Sequence, residues 1–397
     1  MSFNLFSPKI KKILLLDVGN GSVSAGVATY GLGQRPKLID SISLPFTIGH
    51  KPSADELTEV MTKILSEAVN MITKRNKSEK NSESHISQCL VSLASPWFIS
   101  EPRTISIKNE KEFIITTEFL EDVLDKEYKK FDQNKKNTDM DEGDIGKWQK
   151  LETVVTSVLL NGYNLKNSLG KKAKICDIHI YLSSAPTFIT ETIKKQLERH
   201  LHINNEAISF HSFPIVSISA IERIFPSDPD YIVVDITSET TDLMIVVNHI
   251  PSRILSVPAG KNTIIRLLAK YSNTLPDIAL STFHMYLKGE LDDQTLLQMQ
   301  IPMENIEKEW SVYLENIISE LSPSATLPSR LYITSDWDSH KIYGNFLKTA
   351  KTDITSNFRN NANPIQLNDT LLKNFYDRDP RIIENDFLAL LVMFIDR

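Results

Sequence analysis

The chain has 397 residues, of which 41% are hydrophobic and 24% charged, and its formal net charge is −6. This composition indicates a globular protein of roughly two to three domains. The negative charge gives no electrostatic support for a general role in binding nucleic acid. Cys89 and Cys176 have no CxxC neighbour. A zinc site or a structural disulfide is therefore not indicated, and a reducing cytoplasm fits.

Two apolar runs are candidate membrane segments. Ile13–Leu16 follows the basic N-terminus but is interrupted at Asp17, and Phe387–Ile395 lies near the end of the chain. Both are too short to span a bilayer. The second run predicts a buried final helix, with a membrane-touching end as the alternative. The short segment Phe3–Lys12 is expected to bind lipid only weakly, so membrane attachment should be indirect.

The first half of the chain alternates strand and helix patterns. It begins with three predicted strands, of which the first two form a hairpin. Ser53 and Glu56 have the spacing of a capping box that opens an amphipathic helix. Strands are predicted at 13–18, 23–29, 37–44, 86–93, 105–107, 152–160, 175–183 and near 208, and helices from 53, at 117–131, through 189–201 and at 214–224.

The second half repeats this order after the turn Pro226–Pro229, which is a boundary signal. Strands are predicted at 231–236, 243–248, 252–257 and 331–334, and helices at 262–271, 276–288, 303–321 and 384–395. Strands that alternate with helices indicate an α/β fold.

Each half begins with the same arrangement around one carboxylate. An apolar strand ends in Asp17 or Asp235 and runs into a turn of small residues, and a second strand follows. Such a turn offers backbone N–H groups to a phosphate. Two hairpins of this kind predict a duplicated fold with two facing domains and a cleft between them. The alternative for both aspartates is that they only form turns at strand ends.

The two turns resemble the phosphate loops of the actin-like ATPase superfamily, and within it those of FtsA and PilM. The first is Asp17–Ser22, the second is Asp235–Asp242, and Ser256–Ile264 is similar to the turn and helix that follow the second loop in FtsA. The resemblance implies a duplicated actin-like (RNase H-like) fold around a nucleotide cleft. The implied divisions are 1–104 with 175–228 as the first domain, 105–174 as an insert subdomain of the FtsA/PilM type, and 229–397 as the second domain, with a helical subdomain at about 262–328.

The same resemblance implies ATP and Mg²⁺ as cofactors and at most a weak ATPase activity. Asp17 and Asp235 would act in catalysis and hold Mg²⁺ through water, whereas Asp242 is interpreted as facing solvent. The residues implied in nucleotide binding are Asp17, Gly19, Asn20, Gly21, Ser22, Asp235, Ser238, Thr240, Thr241, Gly260 and Lys288.

Several positions depart from the superfamily pattern. Thr237, Ser238 and Glu239 stand where the second loop is usually rich in glycine, and their side chains crowd a loop that should approach a phosphate. Residues 335–338 contain none of the glycines of an adenine loop, and Met285 replaces the glutamate that usually precedes Lys288 by one helical turn. These departures weaken the expectation of nucleotide binding and, still more, of turnover.

The resemblance implies a cytoplasmic scaffold, peripheral at the inner membrane, that associates with itself and with a partner. The leading interpretation is an FtsA-like protein of bacterial cell division, whose partner is the division filament protein. The alternative is a PilM-like platform of type IV pilus assembly, whose partner is an inner-membrane pilus protein. A kinase or ATPase of the same superfamily is the alternative from another class.

Overall fold

The computed structural model describes residues 10–31, 33–46, 48–78, 85–135, 147–165, 167–321, 327–335, 340–349 and 363–395. Residues 3–9 of the segment Phe3–Lys12 and residues 336–338 of the adenine-side loop lie outside this range. The strands are β1 (Lys11–Val18), β2 (Ser22–Tyr30), β3 (Lys37–Pro45), β4 (Ile86–Leu93), β5 (Ile99–Ile114), β6 (Trp148–Leu160), β7 (Tyr163–Asn164), β8 (Lys172–Pro186), β9 (Ile208–Ser212), β10 (Tyr231–Ile236), β11 (Thr241–Val247), β12 (Ile250–Val257), β13 (Arg330–Ser335), β14 (Asn363–Gln366) and β15 (Asp377–Arg378). The α-helices are α1 (Ala54–Ser78), α2 (Thr117–Lys135), α3 (Thr187–Leu201), α4 (Phe213–Ile224), α5 (Lys261–Ser272), α6 (Pro276–Lys288), α7 (Asp293–Leu321), α8 (His340–Thr349), α9 (Asp369–Leu372) and α10 (Asp386–Phe394).

The strands and helices predicted from the sequence are present. The largest difference in a boundary is at α7, which begins at Asp293 rather than at Met303 and contains Pro302. The capping box is confirmed, since Ser53 N donates to Glu56 Oε2 at 2.9 Å and Glu56 N donates to Ser53 Oγ at 3.2 Å. The sequence patterns did not predict β7, α8, β14, α9 or β15.

Two of the three sheets have the same topology. The first sheet has the order β15-β3-β2-β1-β4-β9 and the second has the order β12-β11-β10-β13-β14. In both, the central strand pairs antiparallel with the next strand of its hairpin and parallel with a later strand, β4 for β1 and β13 for β10. The duplicated α/β fold predicted from the two hairpins is therefore confirmed.

The first sheet has apolar layers on both faces, which explains why β1 is a continuous apolar run. Leu14 and Leu16 belong to the core cluster that includes the apolar face of α1, whereas Leu15 belongs to the cluster that includes α4 and α10. All three leucines are fully buried. This burial fixes β1 in the centre of the sheet and places the turn that follows it at one edge.

The third sheet, of order β5-β8-β6-β7, forms a lobe inserted between β4 and α3. One face carries α2, and the core of the lobe includes Val123, Phe131, Ile178 and Ile180. The buried Glu152 of β6 ties the lobe to the first domain, because its carboxylate accepts from Ser212 N at 2.8 Å and from Ser212 Oγ at 3.0 Å.

The C-terminal part of the chain returns to the first sheet. The division made from the sequence placed all of 229–397 in the second domain, but β15 pairs with β3 and α10 packs in the core beside β1 and α4. Every residue from Phe387 to Phe394 is buried. The prediction of a buried final helix is confirmed, and the alternative of a membrane-touching end is wrong. Among the described residues, no helix combines the length and apolarity that crossing a bilayer requires.

The first helical residue of α10, Asp386, is a buried carboxylate. Burial raises its pKa to about 7, and the neighbouring Asp369 and Glu384 add to the rise, whereas the bond from Asp369 N opposes it. The folded state therefore keeps a proton that the unfolded state loses above about pH 4. Stability falls as pH rises from about 4 to 7 and stays lower above that.

We expect Asp386→Asn to raise stability at pH 8 by about 2 kcal/mol, because the amide keeps an acceptor for Asp369 N and buries no charge. At pH 4 the variant and the wild type should be nearly equally stable. Urea unfolding at both pH values measures this difference. A lower urea midpoint of the variant at pH 8 would contradict the prediction.

Candidate functional site

The first candidate phosphate loop is a tight turn that connects β1 to β2. Gly19 N donates to Ser22 O at 3.0 Å, which closes the turn. Trp97, which follows β4, is buried beside this turn. It also donates from Nε1 to Gly19 O at 2.8 Å. The indole therefore holds the loop from the side of β4.

Asn20, at the tip of this turn, joins the two domains. Its Nδ2 lies 2.7 Å from Ser95 O in the first domain and 2.9 Å from both Thr237 Oγ1 and Thr240 Oγ1 in the second. Its Oδ1 accepts from Glu239 N at 2.9 Å. Only 1% of the residue is exposed. The amide is satisfied on both sides, so it holds the first loop against the second.

Two glycines mark close approaches to the second loop, Gly21 from the first loop and Gly260 from the turn between β12 and α5. A Cβ at Gly21 would lie 1.8 Å from Ser238 Oγ, so the two loops are in contact there. A Cβ at Gly260 would lie 2.4 Å from Thr237 O and 2.6 Å from Ser238 O. Gly260 has φ −107°, so its need for glycine arises from space and not from backbone conformation.

The two aspartates occupy equivalent places in the two sheets. Asp17 faces Ser24 and Ser92 in register, and Asp235 faces Asp242 and Thr334. Both are buried, with 3% and 1% exposed. Asp235 Oδ1 accepts from Thr334 Oγ1 at 2.7 Å. Among the described residues no group of three or more His, Cys, Asp or Glu side chains could hold a metal ion.

Asp242 does not face solvent, and that interpretation of the sequence is wrong. It is 2% exposed, because β11 is covered on both faces, and its Oδ2 accepts from Ser95 Oγ at 2.7 Å across the two domains. Burial raises its pKa to about 6, and hydrogen bonds from Ser256 and Ser95 oppose the rise. The alternation of apolar and polar residues in the β10–β11 hairpin did not predict the burial of Asp242, because the elements that cover β11 come from distant parts of the chain.

Glu239 in the second loop is enclosed by donors from α5. Its Oε1 accepts from Asn262 Nδ2 at 2.8 Å and from Arg266 Nη1 at 3.3 Å, and its Oε2 accepts from Arg266 Nη2 at 2.9 Å. The sequence pattern marked Glu239 as a departure from the superfamily but did not predict these two partners. Their spacing of four residues places them on one face of a helix, which is the signal that was available.

Beside the two loops, a cleft of about 900 Å³ opens between the domains. Gly21 and Ser22 line it from the first loop, and Lys261, His284 and Ser335 line it from the second domain. The predicted nucleoside contact Lys288 is an exposed residue at the end of α6, and His284, one turn earlier, reaches the cleft instead. Thr241 Oγ1, also a predicted contact, donates to Ala259 O at 2.7 Å.

The space between the two loops does not fit nucleotide phosphates. A phosphate site of this type depends on free backbone N–H groups. The N–H groups of Gly19, Thr237, Glu239, Lys261 and Asn262 each already donate to a protein oxygen, at 2.8–3.0 Å. The side chain of Ser238 and the amide of Asn20 occupy the approach from the other side. We therefore derive no chemical step through ATP.

Comparison with solved structures identifies the architecture. A chain of the PilM–PilN type IV pilus biogenesis complex superposes with a TM-score of 0.58, at 15% identity, over 97% of this chain and 98% of that one. The chain has the actin-like fold. Ethanolamine utilization protein EutJ from Carboxydothermus hydrogenoformans gives a TM-score of 0.42 at 11% identity, over 91% of this chain and 86% of its own. A non-polymerising MamK mutant bound to AMPPNP gives 0.42 at 9% identity, over 98% and 100%. No protein-family model and no curated protein sequence matches the chain.

The contact between Ser95 and Asp242 predicts a stability effect that depends on pH. Ser95→Ala removes a donor from a carboxylate that is ionised above about pH 6. We expect a loss of about 2 kcal/mol at pH 8 and about 1 kcal/mol or less at pH 5, where the carboxyl is mostly protonated. The sign follows because loss of the donor raises the pKa of Asp242 further, and this adds a cost only where the carboxyl of the folded wild type is ionised, above about pH 6.

Urea unfolding of wild type and variant at pH 5 and pH 8 provides the measurement. Ser209→Ala is the matched control, because Ser209 Oγ donates at 3.4 Å to a neutral carbonyl, Cys89 O. Its cost should be the same at both pH values. An equal cost of Ser95→Ala at both pH values would show that Asp242 is not titrating at this contact.

The packing around Gly260 predicts a second effect. Gly260→Ala places a Cβ against backbone atoms that cannot move aside, so we expect a loss of about 2–3 kcal/mol. Gly344→Ala is the control, because its Cβ would meet nothing within 4 Å and it lies inside α8, where alanine is favoured. Thermal unfolding of the two variants compares them. A Gly260→Ala variant as stable as Gly344→Ala would contradict the close approach of the β12–α5 turn to the second loop.

Proposed function

We propose that this chain is a PilM-like scaffold of type IV pilus assembly, working at the cytoplasmic face of the inner membrane through a membrane-anchored partner. The observation that carries the proposal is the superposition on a chain of the PilM–PilN complex. It extends over 97% and 98% of the two chains and therefore includes the inserted lobe of β5–β8. An FtsA-like division role, which the sequence favoured first, is the competing candidate.

The cleft supports a scaffold better than an enzyme. A kinase or ATPase must admit nucleotide phosphates between its two loops, and here the loops contact each other through Gly21 and Ser238. The buried side chains at the contact, Asn20 and Glu239, form hydrogen bonds within the protein. Such an arrangement keeps the two domains in one relative orientation. This suits a scaffold, which presents binding surfaces to partner proteins.

The inserted lobe offers a surface for docking. Apolar side chains are exposed at the end of its sheet that lies away from the first domain, and Asn161 Oδ1 orders this end by accepting from Lys174 N and Ile175 N, both at 3.1 Å. The exposed side chains are Ile114, Tyr163, Leu165, Leu169 and Ile175. Tyr163 is 74% exposed, which is unusual for so large an aromatic residue and is typical of an interface anchor.

We expect the purified chain to bind the cytoplasmic N-terminal peptide of a pilus inner-membrane protein encoded beside it. Replacing both Tyr163 and Leu169 by serine should weaken this binding at least tenfold, because two apolar anchors are lost. Fluorescence anisotropy of the labelled peptide measures the affinity. Leu297→Ser is the matched control, since this leucine is 71% exposed on α7, outside the lobe.

The division filament protein serves as the competing ligand in the same assay. Binding of that protein, with no binding of the pilus peptide, would refute the pilus proposal and favour a division role. Binding of the pilus peptide that is unaffected by the double substitution would retain the pilus role and refute the lobe as the docking surface.

A further inference from the structure

The donors around Glu239 form a site for an anion. A guanidinium group with two N–H donors and a side-chain amide converge on one carboxylate beside the first turn of α5. Fork-shaped donors and the first turn of a helix are the means by which proteins bind phosphates and carboxylates. The ligand at this site is a carboxylate of the protein itself, and the side chain of Glu239 is only 10% exposed.

Arg266 also links this site to the other domain. Its Nη1 donates to the carbonyl oxygen of His50 at 3.4 Å, and His50 belongs to the segment between β3 and α1 of the first domain. Glu239 therefore fixes the guanidinium group in the orientation that reaches across the cleft. The second connection is Asn20, whose amide bonds to both domains.

We propose that Glu239 and Asn20 replace a bound nucleotide, so that the protein's own carboxylate and amide hold the two actin-like domains closed and exclude ATP. In a nucleotide-dependent member of the fold, the phosphates bridge the two loops. Here the bridging side chains, Glu239 and Asn20, belong to the chain itself. The bridge between the two loops is therefore present whether or not ATP is available. Closure is then constitutive, whichever partner the scaffold binds.

Wild-type protein provides the first test. Calorimetric titration with ATP and Mg²⁺ up to millimolar concentration should give no binding heat. Dyes on cysteines introduced at Lys63 and Lys308, exposed residues of α1 and α7, report the separation of the domains by energy transfer. The native Cys89 and Cys176 are buried and should not be labelled. Addition of ATP and Mg²⁺ should leave the transfer efficiency unchanged.

Two variants provide the second test. Asn20→Ala removes the bridge between the loops, so energy transfer should decrease as the domains separate. Glu239→Gly removes the internal anion and leaves Asn262 and Arg266 available, so ATP–Mg²⁺ should bind at least tenfold more tightly than to wild type. Asn204→Ala and Glu290→Gly are the controls, because both residues are exposed and neither lines the cleft. Neither control should change energy transfer or nucleotide affinity.

Micromolar binding of ATP–Mg²⁺ to the wild type, or a change of its energy transfer on adding ATP–Mg²⁺, would overturn the proposal. So would an Asn20→Ala protein whose energy transfer equals that of the wild type. If Asn20→Ala does not fold, the wild-type titrations and Glu239→Gly decide the question. These results do not involve the pilus peptide, so they stand or fall separately from the proposed partner.

Discussion

One buried amide joins the two loops where the domains meet at the cleft, beside an apolar core that α4 shares with the second sheet. Asn20 lies where the two loops meet, and each side of its side chain is matched by a partner in the protein. A buried amide that lost these partners would be left without hydrogen bonds in a site that excludes water, which is costly. Opening the cleft breaks these bonds together, along with the bond between Ser95 and Asp242. The closed arrangement is therefore cooperative.

The duplicated topology explains why this contact forms between the domains. The central strand of each sheet is buried on both faces, and its loop leaves the sheet at the edge that faces the other domain. The two loops differ in chemistry, however. The first keeps the small residues Gly19 and Gly21, whereas the second carries Thr237, Ser238 and Glu239. The larger side chains of the second loop fill the space that the small residues of the first leave open.

The inserted lobe and the C-terminal segment both pack against the first sheet and complete the first domain. Glu152 of the lobe bonds to Ser212 in β9, and α10 closes the other face of the same sheet. Because these elements lie far apart in the sequence, the first domain requires nearly the whole chain to form its core. Contacts of this kind favour a rigid support, on which an exposed surface such as the tip of the lobe keeps a constant position.

The sequence by itself determined the class of fold and most strands and helices, because the alternation of apolar residues follows local geometry. It also located the turns after β1 and β10, because in both places an apolar strand ends in aspartate and runs into a turn. Only the tertiary structure decided that Asp242 is buried, that the last helix belongs to the first domain, and that Glu239 pairs with Arg266. Each depends on which distant elements cover a residue. Local patterns do not carry that information, because burial and pairing are properties of the assembled core.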